Sequence, residues 1–175
     1  VQVQGLTGVK GVATGEGFSL AVKSDGTVWA WGRNNAGQLG NGTQTESLVP
    51  VKVSGLTNIV SVAAGSGIPF SLALRNDGTI WGWGSNIYGQ LGDGSDIAQQ
   101  LTPVQVQGLT GVVGISAGGT FSLAVTSDGK VWAWGANHSG ALGTGDNLPQ
   151  NSPTQVSGLS NVTKIAAGYS FSTAL

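Results

Sequence analysis

The sequence predicts an all-β fold: β-propeller blades of four-stranded antiparallel sheets, about three and a half of them, incomplete as a single chain. Three observations carry this. A Trp-x-Trp-Gly motif stands at Trp29 to Gly32, Trp81 to Gly84 and Trp132 to Gly135, at steps of 52 and 51 residues. A Gly-Leu pair recurs at Gly5-Leu6, Gly55-Leu56, Gly108-Leu109 and Gly158-Leu159, at steps of 50, 53 and 50. Between these markers apolar residues alternate with period two, and no helical spacing occurs. A fixed period near 50 residues means that one supersecondary unit is reused and buries its apolar faces against copies of itself. The approximate repeats are 1–49, 50–102, 103–152 and a partial one at 153–175, forming one repeat domain over 1–175.

Each element follows from the residues of one unit, 103 to 143. Pro103-Val104-Gln105-Val106 alternates apolar and polar, with proline tolerated at a strand start. Gly108-Leu109 turns the chain. Val112 to Ala117 makes a short strand of mostly small residues that ends at Gly118-Gly119. Phe121, Leu123 and Val125 share one strand face, with Ser122 and Ala124 on the other. Ser127-Asp128-Gly129 is a hairpin signal, because Asp-Gly supplies the positive φ that such turns need. Val131 to Trp134 is the next strand, with both tryptophans on one face, and a Gly/Asn loop runs from Gly135 to Gly145. The middle strands are apolar on both faces, so each sheet needs another on either side. Sheets of four strands stacked about an axis are propeller blades.

Composition narrows the function classes. Charged residues are 9% and the net charge is -1, with Lys and Arg scattered singly. A nucleic-acid footprint needs a basic stripe, and a membrane-surface signal needs a polybasic cluster. Neither is present, nor is an apolar run of membrane-spanning length, so the expected partners include no nucleic acid and no membrane. With no cysteine there is no disulfide, thiolate ligand or thiol nucleophile. Methionine is absent, including at position 1, as expected of a processed product, a fragment or a sequence without its natural start. A cysteine-free, low-charge chain rich in Ser, Thr, Asn and Gly leans towards a secreted or cell-surface location.

The repeat resembles that of the regulator of chromosome condensation family. In the first copy the hallmark residues are Val12-Ala13-Thr14-Gly15, Phe18-Ser19-Leu20-Ala21-Val22, Asp25-Gly26-Thr27-Val28-Trp29-Ala30-Trp31-Gly32, Asn34 and Gly37-Gln38-Leu39-Gly40-Asn41-Gly42. Gly89 to Gly94 and Gly140 to Gly145 repeat the last segment. The resemblance covers almost the whole chain and implies a propeller, typically of seven blades. Members of the family include a nucleotide exchange factor for a nuclear small GTPase, plant ultraviolet photoreceptors and a secreted β-lactamase inhibitor. Their functions sit on loops and insertions that differ. Here Phe18, Phe70, Phe121 and Phe171 replace a frequent histidine of the family. The wedge insertion of the exchange factors is absent, with only a two-residue excess at Ile68-Pro69. So is the Gly-Trp-Arg-His-Thr motif of the photoreceptors.

The candidate chemistry is thin. The six tryptophans fit blade-to-blade packing better than light sensing or carbohydrate stacking. Asp25, Asp77 and Asp128 each precede a turn glycine, a place where aspartate bonds its own backbone. The glycine loops lack the lysine and following helix of a phosphate loop. Asp93, Ser95, Asp96, Asp146 and Asn147 offer too few oxygen ligands for calcium. His138 has no orienting carboxylate or activated serine at a useful spacing. The expectation is no catalytic, metal or cofactor site and no enzyme.

The expected function is a non-enzymatic scaffold for protein interaction or self-assembly through blades and loops. The alternatives are a hydrolase using a propeller channel and a purely structural array. Loops on a rigid framework carry function, and the variable slots after each Trp-Gly single out Arg33, Asn35, Ile87, Tyr88 and His138 as partner contacts. The expected partner is protein, with the chain itself foremost. Val1-Gln2-Val3-Gln4 reads as an outer strand, and three and a half repeats cannot close a ring. The open faces are therefore expected to associate with another copy or with more of a longer chain.

Overall fold

The computed structural model describes residues 2–175. Val1 of the expected first outer strand lies outside them. Gln2, Val3 and Gln4 are exposed, belong to no strand and pair with nothing among the described residues.

Three four-stranded antiparallel sheets follow in chain order. The first holds β1 (Val9–Gly15), β2 (Phe18–Lys23), β3 (Val28–Gly32) and β4 (Ser47–Lys52). The second holds β5 (Ile59–Ala64), β6 (Phe70–Arg75), β7 (Ile80–Ser85) and β8 (Gln99–Gln105). The third holds β9 (Val112–Ala117), β10 (Phe121–Thr126), β11 (Val131–Gly135) and β12 (Gln150–Gln155). A two-stranded sheet, β13 (Ile165–Ala167) with β14 (Ser172–Ala174), completes the arc. No helix occurs among the described residues, and the ring is open. Neighbouring strands in sequence pair in every sheet, so each is a meander.

The prolines sit differently from the expected strand start. Pro50, Pro103 and Pro153 lie inside β4, β8 and β12, the outermost strands. In each sheet the register slips near the proline, as between Ala30 and Gly32 opposite β4. An edge strand needs no outward amide partner, and a bulge absorbs the missing donor. The repeat that begins at residue 50 consequently starts within β4.

Each sheet has two kinds of end. The β2–β3 turns and their equivalents form the hairpin end, while the β1–β2 and β3–β4 connections form the loop end. At the hairpin end, the Gly26 amide donates to the Lys23 carbonyl at 2.9 Å and the Lys23 amide to the Thr27 carbonyl at 2.9 Å. Only the glycine takes positive φ, 76° at Gly26, 79° at Gly78 and 75° at Gly129. This is a three-residue hairpin loop, which explains why Asp-Gly recurs there. Just before the first strand of each unit, Gly8, Asn58, Gly111 and Asn161 all adopt left-handed backbone, with φ from 55° to 67°. Asparagine is among the few residues that substitute for glycine there.

The core lies between sheets. Trp83 of β7 is fully buried beside Leu20 and Leu39 of the first unit, and Trp134 beside Leu72 and Leu91 of the second. Gly40 makes room for this: a Cβ there would stand 2.8 Å from the Trp83 ring. One carbonyl anchors each joint. Gln38 O accepts from Trp83 Nε1 at 2.8 Å and from Ser71 Oγ at 3.0 Å. Gln90 O accepts from Trp134 Nε1 at 2.9 Å and Ser122 Oγ at 2.7 Å. Ala141 O accepts from Ser172 Oγ at 2.7 Å.

Not all six tryptophans share this role. Trp29, Trp81 and Trp132, the first of each pair, are half-buried. A cation covers two of them, with Arg75 Cζ 4.6 Å from the Trp81 ring centroid and Lys23 Nζ 5.8 Å from that of Trp29. Trp31 is half-buried because no sheet among the described residues lies against its face. The same reason leaves Val9 and Val12 41% and 68% exposed, where their equivalents Ile59 and Val112, and Val62 and Ile115, are buried or half-buried.

Trp83→Ala removes a buried ring and a hydrogen bond and is expected to cost roughly 3–5 kcal/mol. Trp81→Ala, at a half-exposed place, is expected to cost clearly less. Urea denaturation of both variants checks this; equal losses would contradict the division of roles.

Candidate functional site

The long β3–β4 loops and their equivalents are held by asparagine. Asn34 Oδ1 accepts from the Leu39 amide at 2.9 Å, while its Nδ2 donates to the carbonyls of Thr43 at 2.9 Å and Thr45 at 3.0 Å. Asn86 and Asn137 repeat the arrangement with Leu91 and Ile97, and with Leu142 and Asp146. All three asparagines are buried. A side-chain amide that donates and accepts at once satisfies backbone groups that would otherwise be buried unpaired. The loops are therefore fixed frames carrying variable side chains.

The five candidate contact residues fall into two groups. Tyr88 of the second unit, which follows Ile87, meets His138 of the third: the two rings stand edge to face, 5.5 Å between centroids at 84°. Ile87 is 55% exposed, His138 is exposed and Tyr88 half-buried. Arg33 and Asn35 belong to the first unit. Arg33 approaches Glu16 at 3.7 Å, both side chains being solvent-accessible, and exposed pairs of this kind contribute little. Asn35 serves its own loop, its Oδ1 accepting from Gln38 Nε2 at 3.2 Å and its carbonyl from Gln44 Nε2 at 2.9 Å.

The second unit differs from the first here, and the third has His138 and Ala141 at the places of Asn35 and Gln38. Gln90 Oε1 accepts from the Tyr88 amide at 2.9 Å, as Gln38 Oε1 does from Ala36. But Ile87 occupies the place of Asn35, and Gln90 Nε2 is left buried with no partner. Beside Ile87 and Tyr88 a cleft of about 510 Å³ opens, lined also by Asn86, Ser95, Asp96 and Ala98, and by Pro149 and Asn151 of the third unit. Sequence reading missed Pro149 and Asn151, which the fold brings in from some 60 residues away. Comparing Asn35 with Ile87 across the repeats was the available signal.

Asp93, Asp146 and the hairpin aspartates are occupied by donors. Asp93 accepts from Asn86 Nδ2 at 3.2 Å, Ser95 Oγ at 2.8 Å and Gln100 Nε2 at 3.1 Å. Asp146 accepts from Asn137 Nδ2 at 3.1 Å and the Leu148 amide at 3.1 Å. In the hairpins, Asp25 accepts from the Thr27 hydroxyl at 2.6 Å and the Thr27 amide at 2.9 Å. These bonds, with Lys23 adding to them, hold its carboxyl down to about 2. Hydrogen bonds from Lys130 and Thr126 do the same for Asp128, also to about 2. Asp77 is lowered chiefly by Thr79. A depressed carboxyl stabilises the fold above its unfolded value near 3.8, and that contribution disappears as pH falls through the folded value near 2.

Comparison with known proteins matches residues 1–174 to the model of the RCC1-like domain. The chain is 37% identical over 138 residues to the human E3 ubiquitin-protein ligase HERC2, covering 77% of this chain and 3% of that protein. It is 36% identical over 142 residues to the ultraviolet-B receptor UVR8 of Arabidopsis thaliana, covering 80% and 32%. It thus spans about a third or less of these relatives. Among solved structures, Prp20p of Saccharomyces cerevisiae superposes with a TM-score of 0.87 at 24% identity, over 97% of this chain and 44% of that one. Human WBSCR16 superposes at 0.72 and 22% identity, over 100% and 60%. At these identities the structural likeness establishes the fold.

Two outcomes follow from the site. Ile87→Asn restores an acceptor for Gln90 Nε2 and is expected to stabilise the chain by about 1 kcal/mol; a thermal melt no higher than the parent's would contradict this. In carboxyl-carbon NMR titrations Asp25 is expected to titrate near 2 and to move up towards ordinary aspartate values in Thr27→Val. An unchanged midpoint would remove the threonine as the cause.

Proposed function

The chain belongs to the RCC1-like domain family, and on that premise we propose that it is a non-enzymatic scaffold that holds a protein partner at its loop end. The observation that carries this reading is the difference between the first and second units at Ile87. An asparagine that would satisfy Gln90 is replaced by an exposed isoleucine beside a cleft. Arg75 Nε, Trp81 Nε1 and Trp132 Nε1 are also buried without a partner; what marks Gln90 is the exposed apolar residue and the cleft beside it, a local conflict of the kind that functional sites carry. Tyr88 and His138 add a rigid aromatic pair, the kind of group that carries interface energy. Arg33 and Asn35 are contacts of the rim in this reading. Prp20p, whose fold the chain shares, is described by its binding to Gsp1p and histones, which agrees with a scaffold role for such propellers. No carboxylate hydrogen-bonds His138 among the described residues, so the reading assigns it contact and no proton transfer.

The second reading is self-association through the sheet faces. Val9 and Val12 on one side, and Phe171 and Leu175 on the other, are exposed apolar side chains on strands or next to their ends. Apolar patches of this kind mark association surfaces.

A photo-reactive residue at position 87 tests the first reading. In extracts of the source cells it is expected to trap a protein that the same group at Lys52, on the hairpin end, does not. Excess parent chain is expected to compete for that adduct, and the Tyr88→Ala chain is not. Equal trapping from both ends would contradict the loop-end reading. Light scattering tests the second: concentration-dependent dimers weakened by Val12→Asp support it, and a monomer at all concentrations contradicts it.

A further inference from the structure

The charged side chains are divided between the two ends of the sheets. Five of the eight acidic residues, Glu16, Glu46, Asp93, Asp96 and Asp146, lie at the loop end, with Arg33 as its one basic residue. That end carries a net charge of −4. The other six basic residues and three acidic ones lie at the hairpin end, which carries +3. Its three aspartates are all paired with a base of the same hairpin, at 3.5 Å for Lys23–Asp25, 3.8 Å for Arg75–Asp77 and 2.7 Å for Lys130–Asp128. The overall net charge of -1 conceals this separation.

At the acidic end the cleft of about 510 Å³ has an apolar wall of Ile87, Tyr88, Ala98 and Pro149. Exposed Ile97 and Leu148 stand on the same loops. Asp96 lines the cleft, is exposed, and makes no ion pair among the described residues. Ser95 and Asn151 add polar groups able to meet a peptide backbone. The volume is in the range of clefts that hold peptide side chains and small ligands. Asp96 in the wall of the cleft, at an end of net charge −4, favours a positively charged occupant and repels phosphate or an acidic segment.

We propose that this cleft takes an extended, basic polypeptide segment, with one apolar side chain against Ile87 and Pro149 and a lysine or arginine at Asp96. The proposal rests on the loop-end reading and narrows it to one chemical class of partner. The acidic residues alone do not define the site. The cleft, its apolar wall and Asp96 within that lining place it.

Panning random 12-residue peptides against the intact chain tests this, followed by titration of the selected peptides at low and high salt. The expected peptides carry several Lys or Arg residues around one apolar residue. Their affinity is expected to fall roughly tenfold in Asp96→Lys and to weaken with salt, and to be unchanged in Lys52→Glu at the other end. Asp96 makes no side-chain hydrogen bond that would be lost, so the Asp96→Lys chain is expected to melt with the parent. Neutral or acidic peptides lost on Ile87→Asn would overturn the basic partner while leaving the loop-end reading standing. Peptides indifferent to both Asp96→Lys and Ile87→Asn would overturn both. Salt-sensitive pairing of the chain with itself, abolished by Lys52→Glu, would assign the cleft to a second copy and overturn the proposal.

Discussion

A sheet in this chain completes its core only when another sheet lies against it, and the contact is made through one backbone carbonyl. Gln38 O receives both Trp83 Nε1 and Ser71 Oγ, and Gln90 O receives both Trp134 Nε1 and Ser122 Oγ. Trp81 Nε1 and Trp132 Nε1 are buried without a partner; at the joint the carbonyl spares the fully buried rings that cost, so ring and loop are placed together there. The tryptophan supplies the apolar area, and the carbonyl determines which way the indole faces. Stability in such an array is a sum over neighbours. This explains why equivalent residues differ so much in exposure: Ile59 is buried and Val9 is not, although both occupy the same place in their sheets.

The carbonyl belongs to the glycine loop, so the joint that holds the sheets also holds the loops. Asn34, Asn86 and Asn137 tie the rest of each loop to that anchor. With the frame fixed in this way, side chains at the variable slots can change without disturbing the sheets. Ile87 shows the limit of that freedom. It faces outward, yet its arrival strands the buried amide of Gln90. The loop end thus combines a rigid frame, one unpartnered buried amide and an excess of negative charge, while the hairpin end pairs its aspartates with neighbouring bases and holds unpartnered donors at Arg75 Nε, Trp81 Nε1 and Trp132 Nε1.

The strands, the meander order and the hairpins were legible in the sequence because each depends on local signals. Period-two alternation defines β2 or β10, and Asp-Gly defines the turn between β2 and β3. The stacking of sheets was legible because the middle strands are apolar on both faces. The different fates of Trp81 and Trp83 were not: both share one strand face, and only the position of the neighbouring Gln38 carbonyl separates them. Pro103 lies inside β8 rather than at the strand start its sequence suggests, because the irregularity that accommodates it depends on cross-strand register. Of the five candidate contacts, two from different units, Tyr88 and His138, meet in space. Tyr88 and His138 lie 50 residues apart in sequence, and only the repeat's geometry brings their rings together. The cleft wall from Pro149 and Asn151 was hidden for the same reason. The charge separation needed the loop and hairpin ends to be assigned before it could be counted.

Native-state hydrogen exchange, measured strand by strand, tests most directly the claim that each sheet depends on its neighbours. The second and third sheets have a neighbour on both sides, whereas the first sheet and the β13–β14 pair have one. Amides of β6, β7, β10 and β11 are predicted to exchange slowest, and the equivalent amides of β2 and β3, with the same sequence pattern and the same hydrogen bonds, markedly faster. Equal protection of β2 and β6 would show that each sheet is stable by itself and would contradict the account.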